Sequence, residues 1–132
     1  MTVEITRNEN TDILVARVTG RVSAADVRRS IEIAILNRVI EPGIDRIVIV
    51  DRQALLNDLT FDNLTRIEQQ ILAMETRDAA EPAYRCAFVA DEREHRGLID
   101  LYRALWANLG FPKVQMSIVD TEQAALKWLG KA

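Results

Sequence analysis

The sequence predicts an α/β fold, a mixed and mostly parallel five-stranded sheet made of an N-terminal β-hairpin followed by βα units, with about four helices. Three observations predict it. Short apolar runs rich in β-branched residues occur five times along the chain. From the second onward, each run leads into a stretch whose apolar residues return every three or four positions. Only the first two runs are joined by a link too short for a helix. Strands alternating with helices need crossover connections, and right-handed crossovers give a largely parallel sheet.

The first strand is expected over 3–7, where Val3 and Ile5 alternate with polar neighbours. Asn8-Glu-Asn-Thr-Asp12 is the polar turn, and residues 13–19 form the second strand, closed by Gly20. Ser23 begins the first helix, with Asp26 three residues on. Val27, Ile31, Ala34, Ile35 and Val39 form its sheet-facing stripe, which must end before Pro42-Gly43. The run Ile47-Val-Ile-Val50 is apolar on both faces, as in a central strand covered on both sides. Asp58 or Thr60 starts the second helix, with Leu64, Ile67, Ile71 and Met74 as its stripe. The fourth strand is expected over 84–90. Asp91, with Glu94 at the reciprocal position, is expected to cap the third helix, whose stripe is Leu98, Tyr102, Leu105 and Leu109, widened by Ile99 and Trp106. Gly110 and Pro112 end it. The fifth strand is expected over 114–119, and Asp120 is expected to cap a short last helix carrying Ala124, Ala125, Trp128 and Leu129 before Gly130.

A chain of 132 residues fits a single domain over 1–132, large enough to bury a core without metal or disulfide support. Seventeen basic against twenty acidic residues leave a net charge of −3, which argues against non-specific nucleic-acid binding but leaves room for a local basic patch, so no nucleic acid is expected. The lone cysteine, Cys86, excludes an internal disulfide and the zinc spacings, and its apolar neighbours mark it as a small core residue. No apolar run approaches a membrane span and no signal-peptide pattern opens the chain, so a soluble, cytoplasmic protein is expected.

The segment Gly20-Arg-Val-Ser23-Ala-Ala-Asp26 and the tail Ile118-Val-Asp120-Thr-Glu-Gln-Ala-Ala125-Leu-Lys-Trp128-Leu129 resemble the SpoIIAA-like group, relatives of the STAS domain of anti-sigma factor antagonists. The first resembles that family's glycine, hydroxyl cap and acidic residue where its first helix begins. The second resembles its closing strand and short helix, with Asp followed by an Ala-Leu-x-Trp-Leu pattern. The resemblance spans nearly the whole chain and implies a small mixed-sheet domain used in protein or small-ligand recognition, without enzymatic activity. Regulatory members of the family carry a phosphorylatable serine just after the third strand, in an Asp-Ser-Ser/Thr-Gly-like turn. Here Asp51-Arg52-Gln53-Ala54 stands in that place, and Asp51 alone matches. No phosphorylation site carries over.

Three of the expected parallel strands end in aspartate, at Asp51, Asp91 and Asp120. The carboxyl ends of parallel strands form the ligand edge of an open α/β sheet, but acids placed just before helices also cap amides, and that role is preferred here over metal ligation. No metal and no cofactor is expected. Arg52, Arg93 and Arg96 fall on the same edge, where they are candidates to receive an anion, or to pair with neighbouring acids. His95 is the sole histidine, and without a nucleophile elbow nearby it is read as a solvated or locally hydrogen-bonded imidazole. Trp106, Trp128 and Tyr102 fall on apolar helix faces and are read as core, with a dimer seam or an apolar ligand pocket as the alternative.

The stretch Ala54-Leu-Leu-Asn-Asp-Leu-Thr-Phe61 is too apolar for an ordinary exposed loop. It suggests a contact surface made of Asp51, Arg52, Leu55, Leu56, Leu59 and Phe61, through which a non-enzymatic module binds a protein partner or its own twin as a homodimer. The alternative is a carrier of a small apolar or lipid-like ligand held between the second and third helices.

Overall fold

The computed structural model describes residues 2–40, 43–60, 62–67, 69, 84–108 and 114–131, with backbone alone for Trp106, Asn108 and Val114. Five strands form one sheet: β1 (Val3–Asn8), β2 (Ile13–Val18), β3 (Arg46–Val50), β4 (Tyr84–Val89) and β5 (Val114–Val119). The four helices are α1 (Ala24–Leu36), α2 (residues 62–67 within the described part), α3 (Arg93–Asn108) and α4 (Glu122–Trp128). Among the described residues no helix is long and apolar enough to cross a membrane. The expected second-helix positions Ile71 and Met74, and Phe61 before them, lie outside the described residues, as do Leu109, Gly110 and Pro112.

The hairpin is antiparallel, and β3, β4 and β5 run parallel to β2, as the alternation of elements predicts. Strand order in the sheet follows chain order, β1-β2-β3-β4-β5. That order has a consequence the sequence does not announce. Every crossover after β2 steps in the same direction, so right-handed connections lay α1, α2 and α3 on one face. Only the helix that follows the last strand is left for the other face, and α4 packs there against β3, β4 and β5.

Alternation along each strand then divides the core in two. Val50, Tyr84, Cys86 and Phe88 pack with Ile99 of α3. Ile13, Ile47, Ala87 and Val89 pack with Ala125 and Leu129 at α4. Ile13, Ile47 and Leu129 are almost fully buried, and each such side chain contributes about 1.5–3 kcal/mol relative to exposure. The α4 face is also clamped. The Arg85 guanidinium lies 2.7 Å from Asp45 Oδ2 and donates to the Leu129 carbonyl at 3.1 Å, while the Arg85 amide donates to Asp45 Oδ1 at 2.9 Å.

Helix starts follow short-range hydrogen bonding. Ser23 caps α1 as expected: its hydroxyl accepts from the Asp26 amide at 3.1 Å, and Asp26 accepts in return from the Ser23 amide at 3.2 Å. Asp26 also accepts from the Thr2 hydroxyl at 3.0 Å, tying the cap to the start of β1. The Ser23 amide first, and then Thr2, hold the Asp26 carboxyl below its ordinary value. Thr60 accepts from the Asn63 amide, which fixes the start of α2.

Two caps differ from expectation. Helix α3 begins at Arg93, two residues past Asp91, and Glu92 Oε2 accepts from the amides of Glu94 and His95. Helix α4 is capped by the Thr121 hydroxyl, which accepts from the Ala124 amide at 3.1 Å, and not by Asp120. Both aspartates end a strand, and the extra residue between strand and helix passes the capping position to the next hydrogen-bonding side chain. Val39 also falls outside its expected helix. Arg38 turns left-handed at φ 57°, and the chain leaves α1 after Leu36.

Candidate functional site

The carboxyl rim of the sheet is built from turns that bond to one another. Gly20, with φ 67°, turns the chain out of β2, and its carbonyl accepts from the Leu55 amide at 2.8 Å. The Leu55 carbonyl accepts in turn from the Val22 amide at 3.0 Å. His95 completes the fastening, its Nε2 lying 2.7 Å from the Ala54 carbonyl oxygen, which fixes this nitrogen as the donor. The imidazole is therefore locally hydrogen-bonded, and it is buried. Cys86 is buried in β4, as expected.

The charged residues of the rim are engaged with each other. Asp51 Oδ1 accepts from the Gln53 amide at 2.8 Å, closing a turn. Asp91 faces Arg52 at 4.0 Å, with both side chains largely in water. Arg96 donates to the Ala90 carbonyl at 2.8 Å and pairs with Asp120. The three strand-end aspartates thus serve three separate tasks, and among the described residues no group of three or more His, Cys, Asp or Glu side chains is placed to hold a metal ion. Arg52, Arg93 and Arg96, the candidate anion ligands, lie on or near this rim. Two of them take the neighbouring aspartates as partners, and Arg93 lies exposed in the first turn of α3.

The apolar segment after β3 divides by residue. Ala54 is buried, Leu56 packs partly against the core, and Leu59 is half-buried. Leu55 alone of these is displayed, at 54% of its free surface, beside exposed Asp51 and Arg52. Arg21, bridged to Leu55 through the backbone, carries the adjoining ion pair to Asp58 at 3.0 Å. That carboxylate raises the Arg21 guanidinium above its ordinary value.

Beneath this segment, among the described residues, the three-helix face of the sheet leaves a hollow. A cavity of about 200 Å³ lies between the sheet and α1, α2 and α3. Its floor includes Ala16, Val48, Cys86 and Met116, and its roof includes Val27 and Ile31 of α1, Leu64 and Ile67 of α2, and Leu98 and Tyr102 of α3. Leu56 and Leu59 close the rim end. The wall is almost entirely carbon and sulfur. Its charged member among the described residues is Arg46, at the opposite end, whose guanidinium sits 3.9 Å above the Tyr84 ring. Tyr102 stands edge-on to Phe88, ring centres 5.6 Å apart.

No protein-family model matches this chain, and no curated protein matches it in sequence.

The cavity is legible only in part from sequence. The stripes of α1, α2 and α3 are visible as helical periodicity, but nothing in that periodicity says whether facing stripes meet. Arg46 carries a weak signal, a charge one residue before an apolar β-branched run, and no pattern along the chain singles it out. What the arrangement can do chemically is bounded by what it contains. An apolar hollow under a sheet offers shape and desolvation to a ligand. The buried imidazole on the rim is committed to a backbone carbonyl.

Proposed function

We propose that this chain is a non-enzymatic binding module of the cytoplasm that holds a small apolar molecule between its sheet and helices α1–α3. The cavity of about 200 Å³ carries this reading. Apolar cavities of about 150 Å³ stay dry and take up small aromatic molecules, so a hollow of this size suits a ring or a short acyl chain. The SpoIIAA-like kinship is part of the proposal, supported by the order of elements and by the Trp128-Leu129 tail. Recognition without catalysis is what that kinship implies.

Thermal unfolding with increasing decanol tests the reading. A ligand at one hundred times its dissociation constant stabilises by about 2.7 kcal/mol, so the midpoint is expected to rise by several degrees. Native mass spectrometry of the purified chain is expected to retain an acyl-sized adduct. An unmoved midpoint together with a bare mass would sink the proposal.

A second reading, self-association or partner binding through the rim, is favoured by Leu55. It is an exposed leucine on a loop held at both ends by backbone hydrogen bonds, and such a presentation costs little ordering on contact. Leu55→Ser is expected to leave stability within about 0.5 kcal/mol while weakening any dimer seen by sedimentation. Leu56 and Leu59, folded inward, are poor probes because replacing them also damages packing. A monomeric wild-type chain that captures nothing through this loop removes the second reading.

A further inference from the structure

A hollow outside the cavity shares one lining residue with it. Ala24 and Arg28 of α1 face Asn63, Arg66 and Ile67 of α2 across a groove, and Ile67 lines both the groove and the apolar cavity. Residues 24 and 28 are one turn apart on α1, and residues 63, 66 and 67 share one side of α2, so the grouping follows from helical geometry. Both arginines are exposed, and among the described residues neither has a carboxylate within ion-pairing distance, although Asp26, Glu32 and Asp62 stand on the same helices. Asp26 is taken up by the α1 cap and by Thr2. Other arginines take acidic partners, among them Arg7 with Asp12, Arg21 with Asp58, Arg85 with Asp45 and Arg96 with Asp120, whereas Arg29, Arg38 and Arg93 share the lack of one among the described residues. Arg28 and Arg66 thus line one hollow in a chain of net charge −3, with Glu32 and Asp62 one helical turn from them.

Resting on the cavity reading above, we infer that the occupant is an anionic amphiphile, a single apolar chain ending in a carboxylate or phosphate. The head is held by Arg28 and Arg66, beside Asn63, whose side-chain amide donates to the Asp58 carbonyl, and the chain passes Ile67 into the cavity. Guanidinium forks match both head groups bidentately, and the tail is desolvated against aliphatic side chains from three helices. The opposite end of the cavity also has a cation, Arg46, but it lies over the Tyr84 ring inside the wall and not at a groove open to water.

Calorimetric titration with decanol, decanoate, decyl phosphate and inorganic phosphate tests the assignment. Decanoate and decyl phosphate are expected to bind about tenfold or more tighter than decanol, the range of a hydrogen bond to a charged group. Inorganic phosphate alone is expected to bind far more weakly than either. In the double variant Arg28→Gln, Arg66→Gln the two anions are expected to fall to the level of decanol, with decanol itself unchanged. If decanol binds and the wild-type chain shows no preference for the anions, the head assignment fails while the cavity reading stands. Equal binding by inorganic phosphate overturns the amphiphile in favour of a surface anion site. Loss of the preference in Arg46→Gln, with the double variant unaffected, overturns it by moving the head to the other end. If none of the three chain-bearing compounds binds, the cavity reading falls and this assignment falls with it.

Discussion

The two faces of the sheet solve the same packing problem in opposite ways. One face is served by a single seven-residue helix, yet Ile13, Ile47, Ala87, Ala125 and Leu129 close on each other almost without exposure. The other face has three helices and still leaves a hollow of about 200 Å³. The difference lies in what holds each helix down. Helix α4 is fixed at its end by Arg85, which bonds to Asp45 and to the Leu129 carbonyl, so the last turn cannot lift away. Helix α1 is anchored at one side, over β1, where the buried Ser30 hydroxyl donates to the Val3 carbonyl at 3.0 Å. Its remaining stripe faces the cavity. More helix on a face does not mean more core on that face.

The comparison breaks most severely at Leu129. Leu129→Ala removes a buried side chain from the closed face and is expected to cost about 3 kcal/mol, lowering the melting temperature by roughly 10 °C in calorimetry. A loss under about 1 kcal/mol would mean that α4 is not clamped as described.

Adjacent residues of β4 sharpen it further, because they point to opposite faces. Ala87 is fully buried under α4, and Ala87→Leu is expected to destabilise by about 2 kcal/mol through overpacking. Cys86 borders the cavity, and Cys86→Leu is expected to be neutral or stabilising by about 1 kcal/mol while weakening the uptake of decanol. Equal penalties at the two positions in urea unfolding would show that both faces are equally full.

The smallest expected effect concerns acid. The cap of α1 depends on an ionised Asp26, whose carboxyl is held below its ordinary value, first by the Ser23 amide and then by the Thr2 hydroxyl. A lowered carboxyl stabilises the fold above the ordinary value, and that contribution fades as pH falls through the lowered one. The cap of α4 is the Thr121 hydroxyl, which does not titrate. Asp26→Asn is therefore expected to lower stability modestly at neutral pH and to flatten its decline below about pH 4, so that variant and wild type converge in acid. A steep acid dependence retained in this variant would place its origin elsewhere.

Much of the fold is readable because its signals are local. Ser23 and Asp26 sit three residues apart, as a reciprocal cap requires, and the runs at 47–50, 84–89 and 114–119 become strands side by side in one direction. The caps of α3 and α4 fall a single residue beyond the expected positions, because an aspartate at a strand end and one at a helix cap look alike in sequence. The rim residues are visible in the chain but not their state. Leu55, Leu56 and Leu59 are equal letters, and only the backbone bonds to Gly20 and Val22 decide that the first faces water while the others turn inward.

The sequence by itself determined the element order, the hairpin and the parallel run, since periodicity and capping act within a few residues of chain. Tertiary structure alone decided that three helices share one face, that Arg85 reaches the end of α4, and that described residues of α1, α2 and α3 line a common hollow. Those outcomes depend on strand order and on distances between residues far apart in the chain, and an amphipathic pattern specifies which side of a helix is buried but not how closely its neighbours approach.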